Sequence, residues 1–474
     1  MKLNIIDDVE FYASKLDKNR VYAEYSVPSL IQGNKAATKF CDIDSPEFKG
    51  YLRLEIIADN LGGMTAEDIV QYIHDFHLVY GNDDMINPRV RTAGKLRDGS
   101  VEYALYDRER HVIAITPNGY DITNTSEHKF LQKSTNAKQV LPKETDKSLQ
   151  ELMHPYVSAS KDKFLLFIIW LVQAVCEGNH SMLVIIAKAG SGKSTLTKMI
   201  RDILDPSTLG AGKLVSKGDK LITTLTNSYV VAFDNLRELT RDDSDTLAVA
   251  ITGGTYSKRQ AYTTNSIAVY DLHNTIIANG LDILPEEADL AQRCLCLELE
   301  SIEEKRVSDS EIAKNFERDL PFILDAIFNT ISKAMTIIKN ISPRRKPRML
   351  DSYEEMLAIA LSLGISEEKF ERIYFKNIDY INKMRANNDL VYAVREYMTR
   401  YNNGRRSLEG TANEVYTKIY KNYSGSKVSL PGSASQFTRK VKGEYASLLA
   451  AGFIVNVDDT HEDGTHVKII KNKT

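Results

Sequence analysis

The sequence predicts an α/β protein. Its core is a parallel sheet covered by helices, preceded by a mixed or β-rich N-terminal segment and followed by a winged-helix unit. Three observations predict this. Four short apolar segments, Leu183–Ala187, Tyr229–Phe233, Thr275–Ala278 and Cys294–Leu299, alternate with helical patterns, as strands buried on both faces do. A glycine-bearing loop, 187–194, joins the first strand to a helix. Beyond Asp389, three helical stretches precede two alternating strands around an acidic turn.

Bulk properties fit this reading. A chain of 474 residues is too long for one ordinary core, and roughly two to four domains are expected. The expected division is an accessory domain over 1–155, a core domain over 156–386 and a winged helix over 387–474. Net charge is −3, so any nucleic-acid contact must come from local patches. The four cysteines, Cys41, Cys176, Cys294 and Cys296, form no C-x-x-C pair and read as small core residues. Residues 1–10 lack the apolar stretch of a secretory signal. The most apolar run, Phe164–Val175, is too short to span a bilayer. A cytoplasmic location without membrane contact is the expectation.

In the N-terminal segment, Val101–Tyr106 and His111–Thr116 alternate around a charged turn, a hairpin signal. Asn118-Gly119 marks a further turn, and the polar stretch 123–147 reads as a loop or linker. Phe164–Cys176 is a buried helix holding Trp170, the only tryptophan. Helical periodicity runs over Ser308–Ile341 and resumes after the basic joint Ser342–Arg348, to about Ala386.

The loop carries the chemistry. Ala187-Lys188-Ala189-Gly190-Ser191-Gly192-Lys193-Ser194, followed by Thr195, has the strand–loop–helix setting of a P-loop. Its glycines let backbone N–H groups turn onto phosphates, and the helix N-terminus adds partial positive charge. Lys193 would reach the β- and γ-phosphates of ATP, and Ser194 would ligate Mg²⁺. Ala187 stands at the first motif position, where glycine is usual. Tyr229–Asp234 is an apolar strand ending in an acid, a Walker B arrangement that sets Asp234 beside the metal. Asn235 follows; it can orient a water but cannot take its proton, which leaves the general base open, with Glu238, one turn on, a candidate. Asn279 ends the next strand, where its amide would meet the γ-phosphate or water. Arg293 is the candidate arginine finger for a neighbouring subunit.

Between these strands, Tyr256, Lys258 and Arg259 lie on one arm of a hairpin with its tip near Thr263–Ser266, offering stacking and phosphate pairing. In the C-terminal unit, Phe437, Val441, Leu448 and Leu449 share one face of a single helix, Ser433–Ala451. Gln436, Arg439 and Lys440 project elsewhere with the chemistry of a recognition helix. Solvated charge is the alternative reading of both basic groups, but the position of the first between the two strand ends and the wing beside the second favour DNA contact.

The order of P-loop, Phe233-Asp-Asn-Leu236, Thr252-Gly-Gly254, Ile276-Ile-Ala-Asn-Gly280 and Asp289-Leu-Ala-Gln-Arg293 resembles helicases of phages and mobile genetic elements. These are AAA+ ATPases close to the superfamily 3 and minichromosome-maintenance motors. Among them the match is closest to the replication initiator helicases of staphylococcal pathogenicity islands, which are phage satellites. The resemblance implies an AAA+ P-loop ATPase core in a hexameric ring, ATP and Mg²⁺ as cofactors, and single-stranded DNA in the channel. It also implies 3′ to 5′ travel, with double-stranded origin DNA at the winged helix. The alternative is an ATP-switched origin-binding initiator without processive unwinding.

Overall fold

The computed structural model describes residues 6, 8–16, 20–27, 37–59, 63–80, 85–187, 191–212, 214, 220–236, 239–259, 267–280, 288–300, 308–385, 389–423, 430–458 and 464–472. The N-terminal part is β-rich. Glu10–Ser14 (β1), Val21–Val27 (β2) and Ala37–Asp42 (β3) precede two helices, Pro46–Ala58 (α1) and Ala66–Tyr80 (α2), and Met85–Ile86 (β4) completes a sheet in the order β3-β2-β1-β4. α1 starts where it does because Ser45 accepts the Phe48 N–H and Pro46 fills the first turn without needing a donor. Phe48, Leu52, Ile69 and Ile73 pack under this sheet as a separate small core.

A second sheet follows: Thr92–Ala93 (β5), Val101–Ala104 (β6), Val112–Thr116 (β7) and Gly119–Thr123 (β8), all antiparallel in chain order. β6 and β7 are the hairpin expected from alternation, and the Asn118-Gly119 turn leads into β8. Val101, Tyr103, Ile113 and Ile115 belong to the same core as Trp170 and Phe328, so buried packing runs across the boundary expected at 155. The polar stretch after β8 has no helix or strand until Leu149–Met153 (α3), yet it is pinned down. The amide of Gln139 donates to the Ile203 carbonyl, and the Thr145 N–H donates to Asp325.

The central layer begins with Lys161–Gln173 (α4), whose Trp170 is fully buried and donates to the Ser181 carbonyl at 2.7 Å. Met182–Ile186 (β9), Lys193–Leu204 (α5), Lys220–Thr226 (α6), Val230–Phe233 (β10) and Arg241–Thr252 (α7) follow. Next come the hairpin Gly254–Arg259 (β11) and Ile267–Leu272 (β12), then Thr275–Gly280 (β13), Ala288–Ala291 (α8) and Cys294–Glu298 (β14). The four expected strands form one sheet, β10-β13-β9-β14, with every pairing parallel. Cys294 and Cys296 are buried in it as small core residues.

The long helix Asp309–Ile337 (α9), capped by Ser308, packs on α4 and on Leu350–Ser362 (α10), and Glu367–Arg385 (α11) closes the layer. The stretch Asp309–Asn340 is the one segment among the described residues long and apolar enough to cross a membrane; its apolar window is 67% buried and Pro321 lies inside it, as in a core helix.

The C-terminal unit comprises Asp389–Glu396 (α12), Ser407–Thr411 (β15), Ala412–Asn422 (α13), Ala434–Gly443 (α14), Tyr445–Ala450 (α15), Phe453–Asp458 (β16) and His466–Lys471 (β17). Two expectations are corrected here. The strand pair is a three-stranded sheet, β15-β17-β16, because Leu408 and its neighbours pair along β17. The third helix is two helices, broken where Glu444 leaves helical geometry and turns inward to accept the Ser447 hydroxyl at 2.7 Å. The break resets the helical phase. Phe437, Val441 and Leu448 are buried as expected, but Leu449 is 43% exposed.

Candidate functional site

The C-terminal ends of parallel strands are where an α/β sheet opens a binding crevice. Here β9 ends at the glycine loop, β10 at Asp234 and β13 at Asn279-Gly280, all at one edge. Ser191 is buried, and Gly192 takes the left-handed conformation (φ 75°) that starts α5 directly at Lys193. Lys188, Ala189, Gly190 and Glu238 lie outside the described residues.

Two side chains meet across this edge. Ser194 Oγ donates to Asp234 Oδ1 at 2.9 Å, joining the first turn of α5 to the end of β10. Lys193 folds back so that Nζ donates to the Ala187 carbonyl at 2.7 Å, across the mouth of the loop. Burial holds its ammonium below the ordinary lysine pKa, and the nearby Asp234 carboxylate opposes that shift. Thr195 is half-buried on the same turn.

Asn279 occupies a different place from the one expected. It is 1% exposed, its amide nitrogen donates to Thr197 Oγ1 at 2.9 Å, and its oxygen accepts the Asn235 N–H at 3.0 Å. It is a staple between α5 and the turn after β10, because its side chain points into the sheet–helix interface. Asn235 itself is exposed and left-handed (φ 51°). That explains an asparagine at this position, since a short amide tolerates φ above zero better than longer side chains do.

Arg293 lies at the opposite edge. Its carbonyl accepts the Met182 N–H at the start of β9, so about 13 Å of strand separates it from its own loop. Its guanidinium is ion-paired to Asp289, and Arg348 grips the same carboxylate. The basic joint is therefore latched: Arg344 pairs with Glu368, and Arg345 pairs with Glu371 and covers the Phe375 ring.

β11 and β12 form the expected hairpin and leave from the Arg293 edge, since β12 leads through His273 and Asn274 to the start of β13. Tyr256 sits opposite Tyr270 and packs against the core. Lys258 and Arg259 lie in β11 opposite Ala268 and Ile267; their side chains and the tip, 260–266, are outside the described residues. On α14, Gln436 is exposed, and its oxygen accepts the Gly432 N–H at 2.9 Å, so it helps cap its own helix. Arg439 is exposed and Lys440 half-buried. Lys468 is paired to Glu409 at 2.7 Å.

Sequence reasoning missed one group that positions the site. Arg91 and Asp205 form a fully buried ion pair between β5 and the end of α5. No local pattern marks two residues so distant in the chain.

Residues 149–354 match the family model for the actinomycete integrative conjugative element replication protein. The matched stretch holds all four strands of the parallel sheet and is less than half of the chain. No curated protein matches the chain. Among solved structures, the A form apo structure of the NrS-1 C-terminal region is 11% identical, covers 99% of this chain and 98% of that chain, and has a TM-score of 0.38. A further apo structure of the NrS-1 C-terminal region (305–718) is 11% identical over 99% and 97% of the two chains, with a TM-score of 0.36. The central segment is thus similar to a replication protein of mobile elements, without the staphylococcal or helicase detail expected from the sequence.

Proposed function

We propose that the chain is an ATP-dependent DNA helicase and replication initiator of a mobile genetic element. The observation that carries the reading is the Ser194–Asp234 contact at the strand edge, directly after a left-handed glycine and at the start of a helix. A hydroxyl and a carboxylate in contact suit a hard, oxygen-seeking cation such as Mg²⁺, and the start of α5 suits a phosphate. ATP with Mg²⁺, when bound, supplies the transferable phosphoryl group and neutralises charge on it. In this proposal Lys193 leaves the Ala187 carbonyl to hold the terminal phosphates. Asn279 keeps α5 and the Asn235 turn in register, and Arg293 of an adjacent subunit completes the site. The β11–β12 hairpin follows one DNA strand 3′ to 5′ through a hexameric ring, and α14 reads the duplex origin.

The test is ATP turnover and strand displacement on a forked duplex, for the parent protein and Lys193→Ala. The variant should lose turnover on the order of a hundredfold or more while remaining folded. Wild-type turnover in folded Lys193→Ala protein sinks the reading. One observation favours the second reading, an ATP-switched initiator: Asn235 stands where a proton acceptor is needed. ATP binding with origin opening, but without turnover or displacement, selects it.

A further inference from the structure

At the edge opposite the glycine loop, one carboxylate holds two arginines. Arg293 Nη1 donates to the Asp289 carbonyl at 2.8 Å and also to the Asp289 carboxylate. Both acceptors found for this guanidinium among the described residues therefore belong to a single residue four positions earlier. The Arg293 side chain is folded back over the short helix α8 and is only 14% exposed. Its Nε is buried and meets no acceptor among the described residues. A guanidinium is a fork of five donors, and this position leaves one of them buried and unmet.

The carboxylate of Asp289 is shared. Its other oxygen accepts from Arg348 Nη2, while Arg348 Nη1 donates to Gln292 Oε1 at 2.9 Å. Arg348 ends the basic joint between α9 and α10, so the helical layer reaches the group that holds Arg293. Asp289 is 48% exposed. Ion pairs so open to water are weak and are readily exchanged for a stronger partner. A phosphate presents a guanidinium with the same fork geometry as a carboxylate.

We propose that Asp289 is a latch that keeps Arg293 folded against its own subunit until a neighbour's nucleotide takes the guanidinium. This rests on the nucleotide reading above and adds its regulation. In the latched position the fork of Arg293 closes on its own chain, so assembly alone does not complete the neighbouring site. Arg293 must first leave Asp289. Arg348 makes that release easy, because it stays on the carboxylate and Asp289 is not left without a counter-charge. Asp289 acts through Arg293 and touches no nucleotide; it is a positioning residue.

The experiment compares steady-state ATP turnover of the full-length parent, Asp289→Asn and Asp289→Glu, under conditions where mass shows the same assembly for all. Asp289→Asn keeps the shape but gives up the charge, and should raise kcat about two- to fivefold. KM for ATP should not move, since the chain's own loop lies at the other edge of the sheet. Asp289→Glu still pairs with a cation four residues on and should not show the gain. The gain should also vanish in an Arg293→Ala background. A residue that only supported the fold would lower kcat in both variants. If Asp289→Asn does not assemble, Asp289→Ser decides in its place. Parent turnover that the uncharged variant merely matches or falls below overturns the latch alone, as does a gain that persists without Arg293. A parent protein without turnover overturns the nucleotide reading, and the latch with it.

Discussion

Arg91 Nε donates to Asp205 Oδ1 at 2.9 Å, and neither side chain has any solvent exposure. Arg91 also donates to the carbonyls of Ala104, Ala137 and Pro206, and the Tyr106 ring lies 4.4 Å from its guanidinium carbon. Asp205 in turn accepts the backbone N–H groups of Tyr229 and Val230, which lead into β10. The pair ties the β5–β6 sheet to the end of the helix that starts at Lys193 and to the strand that ends at Asp234. Removing one partner strands the other charge in the core, so Arg91→Leu or Asp205→Ala should each cost about 3–5 kcal/mol of stability. The double variant should cost less than the sum. Urea unfolding of the two single variants and the double variant measures this; a single-variant loss below about 1 kcal/mol would contradict it.

The parallel strands were legible because each is an apolar run of the length a doubly covered strand needs, bounded by turn residues. The β6–β7 hairpin was legible for the opposite reason, its strict alternation. β15 was not, because only Leu408 of Ser407–Thr411 is buried, and its pairing depends on β17 far along the chain. The break at Glu444 is signalled only by Gly443, the last residue of α14, while the helical spacing of Phe437, Val441 and Leu448 runs on past it; at the break a buried carboxylate meets Ser447. Around the loop, the meeting of Ser194 with Asp234 at the ends of neighbouring elements could be read from spacing. That Asn279 staples Thr197 to Asn235 could not, since an amide at a strand end fits a ligand contact and a structural one equally well.

Under the proposed function, Arg293 acts on a neighbour, since about 13 Å of strand separates it from its own loop. Arg293→Ala should lose turnover on the order of a thousandfold. Mixed with Lys193→Ala protein it should regain part, because its intact loop then meets an intact arginine. Turnover across a series of mixing ratios checks this, with assembly size confirmed by mass. Absence of rescue in mixed assemblies counts against a role in trans.

Glu355, in α10, makes stability depend on pH. Burial raises its pKa from 4.5 to about 7, against the lowering effect of the Gln173 amide, which donates to it at 3.0 Å. Below pH 4.5 the carboxyl is protonated in both folded and unfolded chains, and its contribution does not change. Between pH 4.5 and about 7 the unfolded chain loses the proton first, so the folded state loses stability as pH rises. Above that range the penalty is constant, about 3 kcal/mol. Glu355→Gln removes the titration, so its stability advantage over the parent should grow across this window and level off near pH 8. Denaturant midpoints of the two proteins across pH 4 to 8 test it. A difference that is flat with pH would show that Glu355 does not titrate in this range.

The last prediction separates origin choice from fuel use under the proposed function. The C-terminal unit has a core of its own, in which Phe437, Val441 and Leu448 pack against Phe453 and Val467. The opposite face of α14 presents Arg439 to solvent, with Lys440 half-buried beside it. Gln436 is partly engaged in capping the helix through Gly432, so Arg439 is the stronger candidate for a base edge. Replacing Arg439 and Lys440 with alanine removes no buried contact of that core and leaves every residue at the strand edge in place. ATP turnover and displacement of an artificial fork should stay at the parent rate. Preference for origin over scrambled duplex should fall, because each lost base contact removes about 1–3 kcal/mol of discrimination. Lost phosphate contacts weaken binding to both duplexes alike and lower the salt slope by about one per cation. Competition binding at one salt concentration, repeated at a second, distinguishes the two effects. Should origin preference survive with only the salt slope reduced, α14 contacts backbone alone, and sequence is read elsewhere in the chain.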